Sequence, residues 1–133
     1  MVSQLIDIEG GLYRTGNDYS FYIRHLRRFL NDTNMEMLCD ALNRGDMKQS
    51  FFFAHTLKGV TAQLGIVALY HPLSALCDLL RTQDAAMLPQ AQAALPELLA
   101  LYDQVIREIE TYRQTLSSAG PAGEICFFPS FVV

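Results

Sequence analysis

Apolar residues recur along this chain at alternating steps of three and four, the spacing that gathers side chains on one helix face. Strand-type alternation does not persist anywhere, so the pattern predicts an all-α fold. A short N-terminal segment, Leu5 to Leu12, ends near Gly10-Gly11. The next helix runs from about Asp18 to Leu30, with Tyr19, Tyr22, Leu26 and Phe29 as its core face. Thr33-Asn34-Met35-Glu36 fits a capping box in which Thr33 caps and Glu36 reaches back. Met35, Leu38 and Leu42 follow on one face, and Gly45 stands in the C′ position that ends a helix. Asp46 caps a helix running to about Leu64, with Gly65 as its stop. Another spans roughly Ala68 to Arg81, with Leu69, Leu73, Leu76 and Leu80 aligned; Pro72 near its start predicts a separate or kinked first turn. In the last and longest helix Leu95, Leu98, Tyr102, Val105, Ile109, Tyr112 and Leu116 keep the three-four spacing unbroken. Pro89 and Pro96 put the start of its regular part near Pro96, where proline suits a first turn.

Short connections between amphipathic helices favour antiparallel neighbours. The expected architecture is an up-and-down antiparallel four-helix bundle with one or two short additional helices, over residues 1–116. Ser117 to Glu124 is small and polar and reads as a linker. Ile125 to Val133 is an apolar tail, too short to span a bilayer. Burying its large side chains is worth about 1.5–3 kcal/mol each, so the tail is expected, where ordered, to pack on its own bundle or on a neighbour without covering His55; the alternative is an unstructured end without a role.

Composition narrows the function classes. Half of the 133 residues are hydrophobic and 18% are charged, which suits a folded globular domain. The net charge of -4 gives no overall electrostatic reason to hold nucleic acid. The N-terminus lacks the basic start and apolar run of a signal peptide, and no stretch approaches a membrane span. Cys39, Cys77 and Cys126 show no zinc spacing and read as free thiols in a reducing cytosol. The expected location is cytoplasmic, without nucleic-acid or membrane partners for this chain.

The helix from Asp46 to Leu64 carries the chemistry. At about 100° per residue, Phe53, Leu57, Val60 and Leu64 fall opposite His55 and form the core face. His55 then points outward. Lys48, Phe51, Phe52, Lys58, Gly59 and Ala62 form one stripe around it, and Gln63 lies near its edge. Lys48 and Lys58 are the only lysines in the chain, and both fall on this stripe. An exposed helical glycine costs about 1 kcal/mol relative to alanine. Gly59, one turn beyond His55, therefore calls for a reason, and open space above the imidazole supplies one.

Histidine titrates near neutrality, so a neutral ring nitrogen is available as a nucleophile for phosphorus. Lys58 can neutralise a phosphate oxygen by charge-assisted hydrogen bonding. No P-loop or Gly-rich kinase loop accompanies them. Such a site exchanges a phosphoryl group only if a partner brings the metal and the remaining catalytic groups. A lone surface histidine beside a lysine is also common without any role, and geometry by itself leaves both readings open.

The segment Ala54-His55-Thr56-Leu57-Lys58-Gly59, with Gly65 ten residues after the histidine, resembles the signature of histidine-containing phosphotransfer (Hpt) domains. Gly11-Leu12-Tyr13-Arg14-Thr15-Gly16-Asn17-Asp18, running into Tyr22 and Phe29-Leu30, is also similar to that family. The resemblance spans roughly Ile6 to Leu116. It implies a phosphoryl carrier without kinase activity of its own, which takes the group from a receiver-domain aspartate and passes it to another receiver. It implies His55 as phosphoacceptor through Nε2, Lys58 as the group that stabilises the phosphoryl, and Gly59 as the point of access. Gly65 would end the helix. Lys48, Phe51, Phe52, Gly59, Ala62 and Gln63 would form the receiver-docking surface. Partners would be a response-regulator receiver domain and a hybrid sensor histidine kinase. No cofactor is expected in this chain, and Mg²⁺ is expected in the partner receiver.

Three features depart from the family pattern: Leu76-Cys77, where a glutamate often follows the leucine, His71-Pro72, and the apolar tail. The alternative reading is a helical interaction module that binds a receiver or kinase without transferring phosphate. A metal or haem site would need inward ligands such as Glu-x-x-His, and none is present. His25, among arginines, reads as a solvated face residue, and His71 as a helix-start residue without a role.

Overall fold

The structure, a computed structural model, describes residues 4–112. Among these the chain is helical, with no strand. The helices are α1 (Ile8–Arg14), α2 (Tyr19–Leu30), α3 (Asn34–Arg44), α4 (Met47–Leu64), α5 (Val67–Arg81), a 3₁₀ turn at Ala85–Met87, α6 (Leu88–Ala93) and α7, residues 95–112. The expected linker and apolar tail, Leu116 and Cys126 lie outside the described residues.

Aspartates cap α1, α2 and α4, because a short carboxylate reaches the free amides of the first turn. Asp7 accepts from the Gly10 amide at 3.1 Å, Asp18 from Phe21 at 3.1 Å and Asp46 from Gln49 at 3.0 Å. The start of α3 differs from the expected capping box. Thr33 makes no side-chain capping bond. Instead Asp32 accepts from both the backbone amide and the side-chain amide of Asn34, at 2.8 and 2.7 Å. Gly45 and Gly65 end α3 and α4 in the left-handed conformation, at φ 75° and 76°, which glycine reaches without Cβ strain. α5 runs unbroken from Val67 through Pro72, so its first turn is not separate.

Two segments fall differently from the sequence reading. Gly10-Gly11 lies inside α1 rather than at its end. A Cβ on Gly11 would meet the Leu64 carbonyl oxygen and the Tyr22 ring, so glycine here permits a close approach of three elements. The Tyr22 hydroxyl donates to that same carbonyl at 2.8 Å, buried. The 3₁₀ turn and α6 were not foreseen. They are held by Gln92, which donates to the Leu42 carbonyl at 2.7 Å, and by Gln83, which donates to the Met47 carbonyl at 3.3 Å.

α4 lies at the centre. It packs most extensively on α5 and α3, and also on α1 and α2. The core gathers Tyr22, Leu26 and Phe29 of α2, Leu38 and Leu42 of α3, and the aligned leucines of α5. Leu95, Leu98, Val105 and Ile109 of α7 close it. Burial of each large side chain contributes about 1.5–3 kcal/mol relative to exposure.

The buried face of α4 corrects the expected one. It is Ser50, Ala54, Leu57, Thr61 and Leu64, with Phe53 and Val60 only half-buried at its edge. The face is thus turned by roughly 50° about the helix axis. The reason is local. The Ser50 hydroxyl donates to the Asp46 carbonyl at 2.7 Å, and Thr61 to the Lys58 carbonyl at 3.0 Å. Hydroxyls satisfied within their own helix can enter a core, and these small side chains let the neighbouring helices approach.

Candidate functional site

His55 sits in the middle of α4 and is exposed. Four helices cover parts of α4, yet one stripe stays open. Lys48, Phe52, His55, Gly59 and Gln63 lie along it, all exposed. Phe51, Lys58 and Ala62 are half-buried. The rotation of the core face explains the split. It tilts Phe51, Lys58 and Ala62 toward neighbouring helices and leaves His55 and Gly59 facing out.

Gly59 is the open point. A Cβ built on it meets nothing within 4 Å. No packing demand therefore requires glycine there, in contrast to Gly11. Phe51, one turn before His55, lays its ring on the imidazole, with centroids 5.6 Å apart and planes at 22°. Phe52 is 59% exposed, an unusual position for a large apolar side chain. Its ring meets Phe53 edge-on at 5.3 Å. Thr56 donates its hydroxyl to the Phe52 carbonyl at 2.9 Å.

Two cations stand on the α5 side of the Phe51 and Cys77 neighbourhood, Lys58 and Arg81, and Arg81 is not among the site residues expected from the sequence. The Arg81 guanidinium carbon lies 5.9 Å from the Phe51 ring centroid, while its Nη1 pairs with Asp78 at 2.7 Å. Lys58 and Arg81 both lie within electrostatic range of Cys77 on α5. Burial pushes the Cys77 thiol up, and these two cations oppose that shift. Arg81 stands next to Leu80 at the end of the aligned leucines, so its place at the edge of α5 was legible. Its arrival beside Phe51 depends on how α5 crosses α4.

The other side of α4 is bounded by α1 and α2. Arg14 donates from Nε to the Gln63 carbonyl at 3.4 Å, which ties the edge of the stripe to α1. A groove of about 230 Å³ runs between α2 and α4, lined by His25, Arg28, Phe29 and Asp32 on one wall and Val60, Gln63 and Leu64 on the other. His25 is therefore not a solvated face residue. It is half-buried, and its ring meets Phe21 edge-on at 4.1 Å. His71 is exposed on α5 and lines a separate hollow of about 360 Å³ with Arg14 and Tyr70. Cys39 and Cys77 are free thiols. Among the described residues no three His, Cys, Asp or Glu side chains are grouped so as to hold a metal ion. No helix among them is long and apolar enough to cross a membrane.

An outward histidine with an open turn beside it, an aromatic platform behind it and a lysine one turn on can accept and hand on a small anionic group. α4 holds no carboxylate and no second histidine, so a carboxylate that binds metal or accepts the group must come from the molecule that docks there. No curated protein and no solved structure matches the chain. The family model described as Hpt domain does match, over residues 29–115, a stretch that begins within α2 and includes all of α4. On that match, this chain belongs to the Hpt domain family.

Proposed function

We propose that this chain relays a phosphoryl group between receiver-domain aspartates in a two-component phosphorelay, with His55 as the carrier. The observation that carries the reading is the exposed His55 beside the open Gly59 in a chain of this family. The neutral imidazole Nε2 attacks phosphorus of the receiver's aspartyl phosphate. A P–N bond forms as the P–O bond to the carboxylate breaks, and the electron pair leaves with the carboxylate. The reverse step hands the group to the next receiver. Lys58 stabilises the phosphoryl oxygens by a charge-assisted hydrogen bond. Mg²⁺ is supplied by the receiver.

Lys48, Phe51, Phe52, Gly59, Ala62 and Gln63 form the surface on which the receiver seats. A hybrid sensor histidine kinase is the proposed source of the group, and the cytoplasm the compartment. In this reading α3, α4, α5 and α7 make the up-and-down four-helix bundle. α1, α2 and α6 lie beside it, more than the one or two short helices expected; residues 1–116 are its extent, and residues 117–133 are a linker and tail outside it.

The test is transfer itself. Incubation with receivers charged by acetyl phosphate should label the chain with acid-labile, alkali-stable phosphate. His55→Gln should abolish the label while the circular dichroism and melting temperature stay unchanged. Undiminished labelling of that variant, or stable binding of receivers without any label on the wild type, would refute the relay and leave a docking module.

A further inference from the structure

The chain carries an excess of carboxylates, but its charge is sharply divided. α2 holds Arg24, Arg27 and Arg28, α4 holds Lys48 and Lys58, and neither helix contains an aspartate or glutamate. Five of the ten Lys and Arg thus stand on two adjacent helices, leaving five against all fourteen carboxylates elsewhere. The state of these cations differs as well. Arg44 pairs with Asp40 at 2.9 Å, Arg81 with Asp78 at 2.7 Å and Arg107 with Asp103 at 2.6 Å. None of the five on α2 and α4 has a carboxylate of the described residues within 4.0 Å. Four of them are exposed, and Lys58 is half-buried.

The placement ties this charge to the His55 stripe. Arg28 lines the groove that Val60 and Gln63 line from α4, and Arg24 lies one turn earlier on the same side of α2. Asp32 is the one carboxylate on the groove wall, and it is already engaged by the two nitrogens of Asn34. The open stripe of α4 thus runs alongside unneutralised arginines of α2.

We infer that Arg24 and Arg28 of α2 extend the docking surface beyond α4, and that they steer a carboxylate-rich face of the phosphodonor receiver onto His55. This inference rests on the phosphotransfer reading. The physics is complementarity. Unpaired surface cations in a cluster attract an acidic patch over about a Debye length, roughly 10 Å at 0.1 M salt, and raise the encounter rate rather than the rate of the chemical step. An overall negative chain repels an acidic receiver at random orientations. This positive face therefore selects the orientation in which His55 meets the phosphoryl group.

The test reads the second-order rate of His55 labelling by receiver domains of the same organism, charged with acetyl phosphate, from about 50 to 500 mM salt. Wild type should lose about tenfold or more across this range. The double variant Arg24→Glu/Arg28→Glu should be slower by a similar factor at low salt and nearly flat in salt. The milder pair Arg24→Gln/Arg28→Gln should fall between. Arg44→Glu/Arg107→Glu changes the net charge equally, on α3 and α7, and should keep the wild-type salt slope. All these side chains are exposed, so melting temperatures should stay close. Equal rates and salt slopes in wild type and Arg24→Glu/Arg28→Glu would overturn the steering surface while leaving His55 as the acceptor. Binding to a DNA duplex or to phosphatidylglycerol vesicles that is lost in Arg24→Glu/Arg28→Glu, with transfer unchanged, would overturn it too. Absence of label on wild type with every receiver would instead refute the phosphotransfer reading beneath it.

Discussion

The Phe51 ring stacks on the His55 imidazole, with centroids 5.6 Å apart and planes at 22°, and Arg81 approaches the same phenyl ring from α5. The stack restricts the imidazole on one side and leaves the Gly59 side open. Aromatic pairs of this kind are worth about 0.5–1.5 kcal/mol beyond their buried area. Phe51→Leu keeps apolar bulk but removes the stack. Transfer to His55 should slow by about two- to tenfold, and the ring-current shift on the imidazole protons should vanish in the NMR spectrum. An unchanged rate together with a lost ring-current shift would make Phe51 a packing residue only.

Lys58 should act on the phosphoryl group rather than on the fold. Hydrogen bonds to charged groups contribute about 1.5–3 kcal/mol. Lys58→Ala should therefore slow transfer by about 10- to 100-fold, with Lys58→Arg recovering part of the rate. Stability in urea should change by no more than about 0.5 kcal/mol. Single-turnover labelling compared with urea melts separates the two effects.

Gly59 is free of packing constraint, since a Cβ there meets nothing within 4 Å. Gly59→Gln should raise helix stability by about 0.5–1 kcal/mol and yet block transfer, because the new side chain occupies the approach to His55. Gly59→Ala should gain similar stability and lose less transfer. Normal transfer by Gly59→Gln would show that access is not limiting.

Tyr22 links pH to stability. Burial pushes its phenol well above the ordinary value, with Tyr112 and Asp7 adding to the shift. The unfolded phenol ionises near pH ~10, while the folded one keeps its proton to higher pH. Stability from this group is therefore full below about pH 10 and falls as pH rises toward the folded value. Tyr22→Phe removes the bond to the Leu64 carbonyl. It should cost about 1–3 kcal/mol at pH 7 and flatten the alkaline decline. Urea melts at neutral and alkaline pH measure both; parallel declines in wild type and variant would assign the alkaline loss to other groups.

What was legible in the sequence was what a few neighbouring residues decide among themselves. The cap Asp46, the helix start near Asp18, the stops Gly45 and Gly65, and the repeat of leucines on α5 mark helices through contacts one turn apart, and the structure places them as expected. The outward direction of His55 belongs to the same class, because it follows from helical period alone. Where a second local choice was available, the structure differs from the expectation. Asp32 took the capping role expected of Thr33, one residue away. Ser50 and Thr61 buried themselves by bonding their own helix, which turned the core face away from Phe53 and Val60.

The chain alone therefore determined the longer helices, their order and which turn of α4 carries the histidine, because helix periodicity and capping act over three or four residues; the short α6 and the 3₁₀ turn before it were not legible there. Only the tertiary structure decided what stands around that turn. It put Gly11 inside α1, where the Leu64 carbonyl and the Tyr22 ring come too close for a side chain. It also brought Arg81 to Phe51 and set Arg28 of α2 across a groove from Gln63 of α4. Those distances depend on how one helix crosses another. The crossings are set by side-chain packing across the interface, between residues far apart along the chain.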